Sequence, residues 1–302
     1  MADVSDLGPR PCGDLGTIAA ALLTEGNCGR VEASTSSAIF IRMHSDLYQP
    51  GIVALVGLDQ PRGPVSVRLT HWPLARTRLS PGVRVRVVDG GLQLDNNHRV
   101  PLPTKRWVAK AVSKLRSNRM FIVQRLEAIL DHEPALSISS NQSRAALTES
   151  DVTAAVRAGL PAAVGLLAGR GSGLTPAGDD VFTGIILATS LLWSAGEPTW
   201  SSDRLRALVR DYNSHDISKA LVAAAANGQG CEPLHDLLDA CSVGDEPACT
   251  DARKRLARWG ETSGLDTAYG VMVGLREAEA VASDCRGLLR ESMNAMVSHS
   301  TV

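Results

Sequence analysis

Hydrophobic and polar positions change their period near residue 105. Before it, short runs rich in β-branched residues alternate with turn signals. The runs are Ser37–Arg42, Gly51–Val56, Val65–Leu69 and Val83–Val88. Strict alternation, as in Val83-Arg84-Val85-Arg86-Val87, predicts strands with one face buried. Asp89-Gly90-Gly91 then turns into Leu92-Gln93-Leu94, which predicts a β-hairpin. The region reads as a small antiparallel barrel or sandwich.

After residue 105 apolar residues recur at helical spacing. Helices are predicted over Arg106–Asp131, Ser150–Ala168 (with Ser150-Asp151 as its cap signal), Val181–Trp193, Ser202–Tyr212 and Ser218–Asn227. Further helices are predicted over Glu232–Cys241, Glu246–Trp259, Thr267–Ala282 and Cys285–Met296. The fold class is therefore α+β: a β-rich domain over residues 1–104, then an all-α domain over 105–302.

At the centre of the helical half lies Gly169-Arg170-Gly171-Ser172-Gly173-Leu174-Thr175-Pro176-Ala177-Gly178-Asp179-Asp180. Glycine at this density marks positive φ or close backbone approach. An apolar run follows at once, so the loop ends at a helix N-terminus, where free N–H groups and the helix dipole favour an anion. No Lys-Ser or Lys-Thr pair closes the loop, so it is not a Walker loop, and the glycine spacing does not fit G-x-G-x-x-G. The bland reading is a tight interhelical turn capped by two aspartates. A partial echo follows downstream. Ser172-Gly173-Leu174, with Asp180 and Gly184 behind it, resembles Ser263-Gly264-Leu265-Asp266, with Gly270 and Gly274 behind it. Two helix N-termini facing one cavity would make a strong anion site.

Composition narrows the classes. The 302 residues are 44% hydrophobic and only 4% aromatic, so the core is aliphatic. A net charge of −1 argues against a chain-wide polyanion binder. Cys12, Cys28, Cys231, Cys241, Cys249 and Cys285 show no C-x-x-C spacing and read as free thiols used in packing. Neither a signal peptide nor an apolar run long enough to span a bilayer is visible, so a cytoplasmic location with no membrane partner is expected. Lys105 to Arg125 carries seven basic residues and no acid. It reads as a solvated helix face, since no nucleic-acid-binding motif accompanies it.

Gly171-Ser172-Gly173-Leu174-Thr175-Pro176-Ala177-Gly178-Asp179-Asp180 resembles the G-x-G-L-T-P-S-G-D-D signature of the AllH family, named for a subunit of oxamate carbamoyltransferase in anaerobic allantoin breakdown. Gly260-Glu261-Thr262-Ser263-Gly264-Leu265-Asp266 resembles its G-H-S-S-G-x-D motif, and His215-Asp216-Ile217-Ser218 an intervening I-S segment. Ser37–Ile41 and Gly63–Leu69 are similar to its N-terminal strands. The chain departs from the pattern at Ala177 (usually Ser), Glu261 (often His) and Thr262 (Ser). The resemblance implies carbamoyl transfer, oxamate and carbamoyl phosphate exchanging with oxalurate and phosphate, performed together with two other subunits. The Ser-x-Arg-Thr-Arg loop of aspartate-type carbamoyltransferases is not found.

Such a transfer must hold phosphate, polarise the carbamoyl oxygen and take a proton from the amine. The N–H groups of Gly171 to Thr175 and the Ser172 and Thr175 hydroxyls are the phosphate candidates, with Arg170 as a bidentate partner and Gly178 at the helix start. Ser263 and Gly264 are candidates for the second substrate's carboxylate, with Glu261, His215 and Ser218 nearby in the pattern. Asp179 and Asp180 are candidates to accept the proton or to orient an amide nitrogen, and Asp266, in the second glycine loop, is a further catalytic candidate or else a cap. Two carboxylates beside a phosphate repel it unless a cation or proton intervenes, so Mg²⁺ on Asp179 and Asp180 is a candidate cofactor. The alternative is a non-catalytic subunit that binds a small acid or helps assemble a complex.

Overall fold

The computed structural model describes residues 13–70, 79–94, 99–112, 114–130, 148–193, 205, 207–209, 212–278 and 280. The helices expected over Ser202–Tyr212, the end of Thr267–Ala282 and Cys285–Met296, together with Cys12, fall wholly or mainly outside them. The chain divides into two compact units, residues 1–109 and 110–302. The class is α+β.

The first unit is one curled nine-stranded sheet. Its strands are β1 (Gly13–Gly16), β2 (Cys28–Ser34), β3 (Ala38–Met43), β4 (Gly51–Gly57), β5 (Ser66–Leu69), β6 (Arg84–Val88), β7 (Gly91–Leu94), β8 (Arg99–Pro101) and β9 (Arg106–Trp107). Their order is β8-β7-β6-β2-β3-β4-β5-β1-β9. Six pairings are antiparallel, while β4–β5 and β1–β9 are parallel. Every residue of β4 is buried, as its unbroken apolar run requires. The hairpin turn is Asp89-Gly90, both at positive φ (48° and 70°), a geometry that matches the twist of the flanking strands. A short helix, α1 (Thr17–Leu22), buries Ile18, Ala19 and Leu22.

The second unit is helical: α2 (Arg119–Leu130), α3 (Glu149–Arg157), α4 (Leu160–Leu167), α5 (Ala177–Trp193), α6 (Asp216–Ala225), α7 (Glu232–Val243), α8 (Glu246–Leu256) and α9 (Ser263–Arg276). Two expected helices are corrected. Arg106–Asp131 is not continuous. Arg106 and Trp107 pair with Leu15 and Gly16 in the sheet, Lys114 takes φ 54°, and the helix starts only at Arg119. Seven like charges with no acid give that segment no helix-stabilising pairs. Ser150–Ala168 is two helices, broken at Gly159 (φ 112°) just before Leu160-Pro161. Its cap is Thr148 rather than Ser150-Asp151: Thr148 Oγ1 accepts from Asp151 N–H at 3.2 Å, and Thr148 N–H donates to Asp151 Oδ2 at 2.9 Å. The last described helix starts at Ser263, a turn earlier than Thr267.

α5 and α9 are the centre of this unit. Val181, Phe182, Ile185, Ile186 and Leu187 are all fully buried, as are Val271, Val273 and Leu275. Each such side chain contributes roughly 1.5–3 kcal/mol by leaving water. Cys231, Cys241 and Cys249 are buried among α7 and α8, the last two with sulfurs 3.5 Å apart.

Candidate functional site

The site grows out of how closely α5 and α9 approach. A Cβ at Gly184 would overlap the Thr267 carbonyl oxygen and lie 2.6 Å from Val271 N. At Gly270 it would overlap the Val181 carbonyl, with the carbonyl carbon at 2.8 Å. At Gly274 it would meet Ala188 Cβ at 2.9 Å. Contact therefore advances along both chains together, from Val181–Gly270 to Ala188–Gly274. The helices run parallel, and their N-termini lie at the same end.

Both starts are built alike. The second residue is glycine (Gly178, Gly264), the fourth aspartate (Asp180, Asp266) and the eighth glycine (Gly184, Gly270). A Cβ at Gly178 or Gly264 would strike the carbonyl oxygen of Leu167 or Leu256, the last residue of α4 or α8. The N–H of Gly178 donates to Arg170 O at 2.8 Å, and that of Gly264 to Trp259 O at 2.9 Å. The downstream echo is thus structural, but Gly264 corresponds to Gly178 and not to Gly173. The two approaches meet where Thr175 Oγ1 and Ser263 Oγ hydrogen-bond at 2.9 Å.

Beneath that bond lie two carboxyl groups. Asp180 is 2% exposed and Asp266 is fully buried. Asp180 Oδ2 and both oxygens of Asp266 accept no hydrogen bond of ordinary geometry. Burial pushes the pKa of Asp180 well above the usual carboxylate range. The Ser263 hydroxyl works against that shift, the charges of Asp266 and Asp179 add to it, and the Thr175 hydroxyl opposes it. Burial pushes Asp266 up to about 7, with the Thr262 side chain pulling the other way. Desolvation outweighs everything else because a buried carboxylate without donors loses its hydration and gains nothing in return.

Asp179 is different. Oδ1 accepts from Gly169 N–H at 2.7 Å and from the Tyr212 hydroxyl, and Oδ2 accepts from Ser214 Oγ. Tyr212 stacks on Phe182 with ring centroids 5.0 Å apart. Asp179 therefore ties the start of the glycine loop to the segment entering α6. No motif in the sequence marked Tyr212 or Ser214.

The remaining candidates divide by exposure. Gly171 and Gly173 take φ of 115° and 96°, which only glycine adopts readily. Among the described residues the N–H groups of Gly171, Ser172, Gly173, Leu174 and Thr175 have no protein acceptor. Ser172 is exposed, and Arg170, half-buried, acts electrostatically on Asp151 in the α3 cap. His215 is an exposed N-cap residue of α6 whose side chain makes no capping bond, while Ser218 one turn on is buried with its hydroxyl unpartnered. Glu261 is exposed. The structure thus brings together Thr175, Ser263, Asp180 and Asp266, and leaves Ser172, His215 and Glu261 at the surface.

Residues 167–275 match the AllH family model, described as oxamate carbamoyltransferase subunit AllH. The AllH match runs from the end of α4 into the last turn of α9, and so contains both glycine–aspartate helix starts and the Asp179 partners. No curated protein and no solved structure matches the chain. Among the described residues no group of three or more His, Cys, Asp and Glu side chains is arranged to hold a metal ion, and no helix is long and apolar enough to cross a membrane.

Proposed function

We propose that this chain is a carbamoyltransferase-type subunit whose reacting groups are Asp180 and Asp266. The supporting observation is a pair of buried carboxyls with unclaimed oxygens under the joined starts of two parallel helices. The AllH match over the same residues, described as a subunit of oxamate carbamoyltransferase, supports this reading, with carbamoyl phosphate as the donor we propose. The unclaimed N–H groups of Gly171 to Thr175 hold the phosphate, with the Ser172 hydroxyl adding a donor. Asp180, which burial pushes toward its protonated form, donates to the carbamoyl oxygen. The amide nitrogen of oxamate attacks the carbamoyl carbon, the bond from that carbon to the phosphate oxygen breaks, and the nitrogen's proton passes to Asp266. A base near pKa 7 suits that step at neutral pH. Because Asp266 is fully buried, the glycine loop must open for substrate to reach it.

Burial holds Asp180 toward its neutral form, which lessens repulsion of a phosphate, so the reading does not require a cation. A Mg²⁺ ion would be held by Asp180 and Asp266, since the oxygens of Asp179 are already occupied by donors. That donor set suits Mg²⁺ when substrate oxygens and water complete its shell, and the ion would neutralise charge on the leaving phosphate.

The test is thermal unfolding of the whole chain with carbamoyl phosphate, phosphate, oxamate or oxalurate, each with and without Mg²⁺. Carbamoyl phosphate or oxalurate at about 100 times its Kd should raise the midpoint by about 5 °C. Asp266→Asn should abolish that response. No rise with any of the four overturns a site complete in this chain. Co-purification with partner subunits would then favour the non-catalytic reading.

A further inference from the structure

The sheet carries an arrangement that carbamoyl transfer does not use. Arg30 of β2 sits in register between Arg42 of β3 and Arg84 of β6, so three arginines stand side by side across three neighbouring strands. Two residues along, Arg86 lies opposite Cys28 on one side and Gln93 on the other. Alternation keeps Val31, Val85 and Val87 in the core, while Arg30, Arg84 and Arg86 face water. All four arginines line one cleft of about 640 Å³.

Glu32 takes a bidentate pair from Arg42, both bonds at 3.0 Å. Among the described residues neither Arg30 nor Arg86 has a carboxylate partner. Like charges directly opposite on adjacent strands are destabilising, and an anion bound beside Arg30 relieves such repulsion. Arg30 and Arg84 stand roughly 4.8 Å apart across the strands, and Arg84 and Arg86 roughly 7 Å apart along β6. Those separations are within the reach of two or three linked phosphoryl groups, and guanidinium forks bind phosphate oxygens bidentately. The cleft volume is in the range of small-ligand pockets, about 300–1,000 Å³. Among the described residues its lining contains no Phe, Tyr or Trp on which a base would stack, which disfavours a nucleic-acid strand.

We infer that this cleft binds a small molecule bearing a diphosphate or triphosphate group, held by Arg30, Arg84 and Arg86. The inference is independent of the carbamoyltransferase reading, whose residues lie in the other unit.

The probe is inorganic diphosphate, titrated calorimetrically into the full chain at about 0.15 M salt, where exposed charges are screened beyond about 8 Å. Micromolar binding is expected. Arg30→Gln and Arg86→Gln should each weaken it at least tenfold, whereas Arg258→Gln, which removes the same charge from an exposed position elsewhere, should leave it unchanged. Without ligand, Arg30→Gln should melt at the same temperature as the parent or higher, because it relieves repulsion, and so reports that the sheet still folds. The inference is overturned by no heat at millimolar diphosphate, by an equal loss in Arg258→Gln, or by a lower melting temperature of ligand-free Arg30→Gln. Tighter binding of single-stranded RNA in competition with diphosphate also overturns it.

Discussion

The starts of α5 and α9 share glycine at the second and eighth positions and aspartate at the fourth, and differ in kind at the third helical residue. It is Asp179 in α5 and Leu265 in α9. Asp179 is buried and has donors on both oxygens, from a backbone N–H, a tyrosine and a serine. Asp180 and Asp266, at the shared fourth position, are as deeply buried and are left short of donors. A fold selected for stability alone satisfies or removes buried polar groups, because each unpaired one costs about 1–3 kcal/mol. The α5 addition is thus a fastener, and the repeated aspartates are the ones we propose as reactive. Adjacent residues of the same type, Asp179 and Asp180, have opposite assignments because their surroundings differ.

The sharpest way to break the comparison is to push the helices apart. Gly184→Ala and Gly270→Ala each force a methyl into the opposing backbone, which has no side chain to swing aside. Each should cost about 4 kcal/mol or more, beyond ordinary overpacking. Gly165→Ala in α4 is the control, since a Cβ there meets nothing within 4 Å. It should be neutral or stabilise by about 0.5–1 kcal/mol. Denaturant titration separates them, and equal midpoints for Gly184→Ala and the parent would refute the parallel close packing.

Next in size is the fastener. Asp179→Asn replaces an acceptor oxygen with an amide donor facing donors, and should cost about 3 kcal/mol. It should also free the loop at Gly169, seen as faster amide exchange there. Unchanged stability would mean that Asp179 belongs with Asp180 and Asp266.

The orphaned carboxyls predict the opposite sign. The folded-state pKa of Asp266 is raised to about 7 from 3.8, so between those values the folded chain binds more protons than the unfolded chain. Stability then falls as pH rises through that window, by about 4 kcal/mol in full. Asp266→Asn removes this titration. Relative to the parent, the variant should gain stability from pH 4 to about pH 7 and level off above it. Parallel stability–pH curves for the two proteins would show that Asp266 is ionised throughout.

How far the sequence carried this differs by region. Runs such as Gly51–Val56 and Val83–Val88 were legible because alternation or an unbroken apolar run leaves one arrangement of faces. β2 was not, because Arg30 and Glu32 interrupt it with long polar side chains whose aliphatic parts cover the sheet. Trp107 was misread because a two-residue parallel strand depends on a partner, Gly16, about ninety residues earlier. In the site, Thr175, Ser263, Asp180 and Asp266 were visible through the glycines beside them, since close approach restricts which residues fit. Tyr212 and Ser214 were invisible: their role exists only once Asp179 has been buried next to them. Glu261 and His215 drew attention as residue types, yet neither is brought into the buried group.

The smallest test concerns the bridge between the two starts. The Thr175 and Ser263 hydroxyls bond each other and both favour the ionised form of Asp180. Thr175→Ala and Ser263→Ala should each cost about 1 kcal/mol, and the double variant less than their sum, because either change alone already breaks the bond. Losing a hydroxyl also lifts Asp180 further. The fall in stability with pH, which runs from the unfolded pKa up to the folded one, should therefore extend to higher pH in each single variant. Ser263→Ala should move it more than Thr175→Ala, since Ser263 has the larger influence on Asp180. Additive losses with no displacement of the pH window would mean that the two hydroxyls join loops without touching the acid beneath them, and the two helix starts would then be neighbours rather than one site.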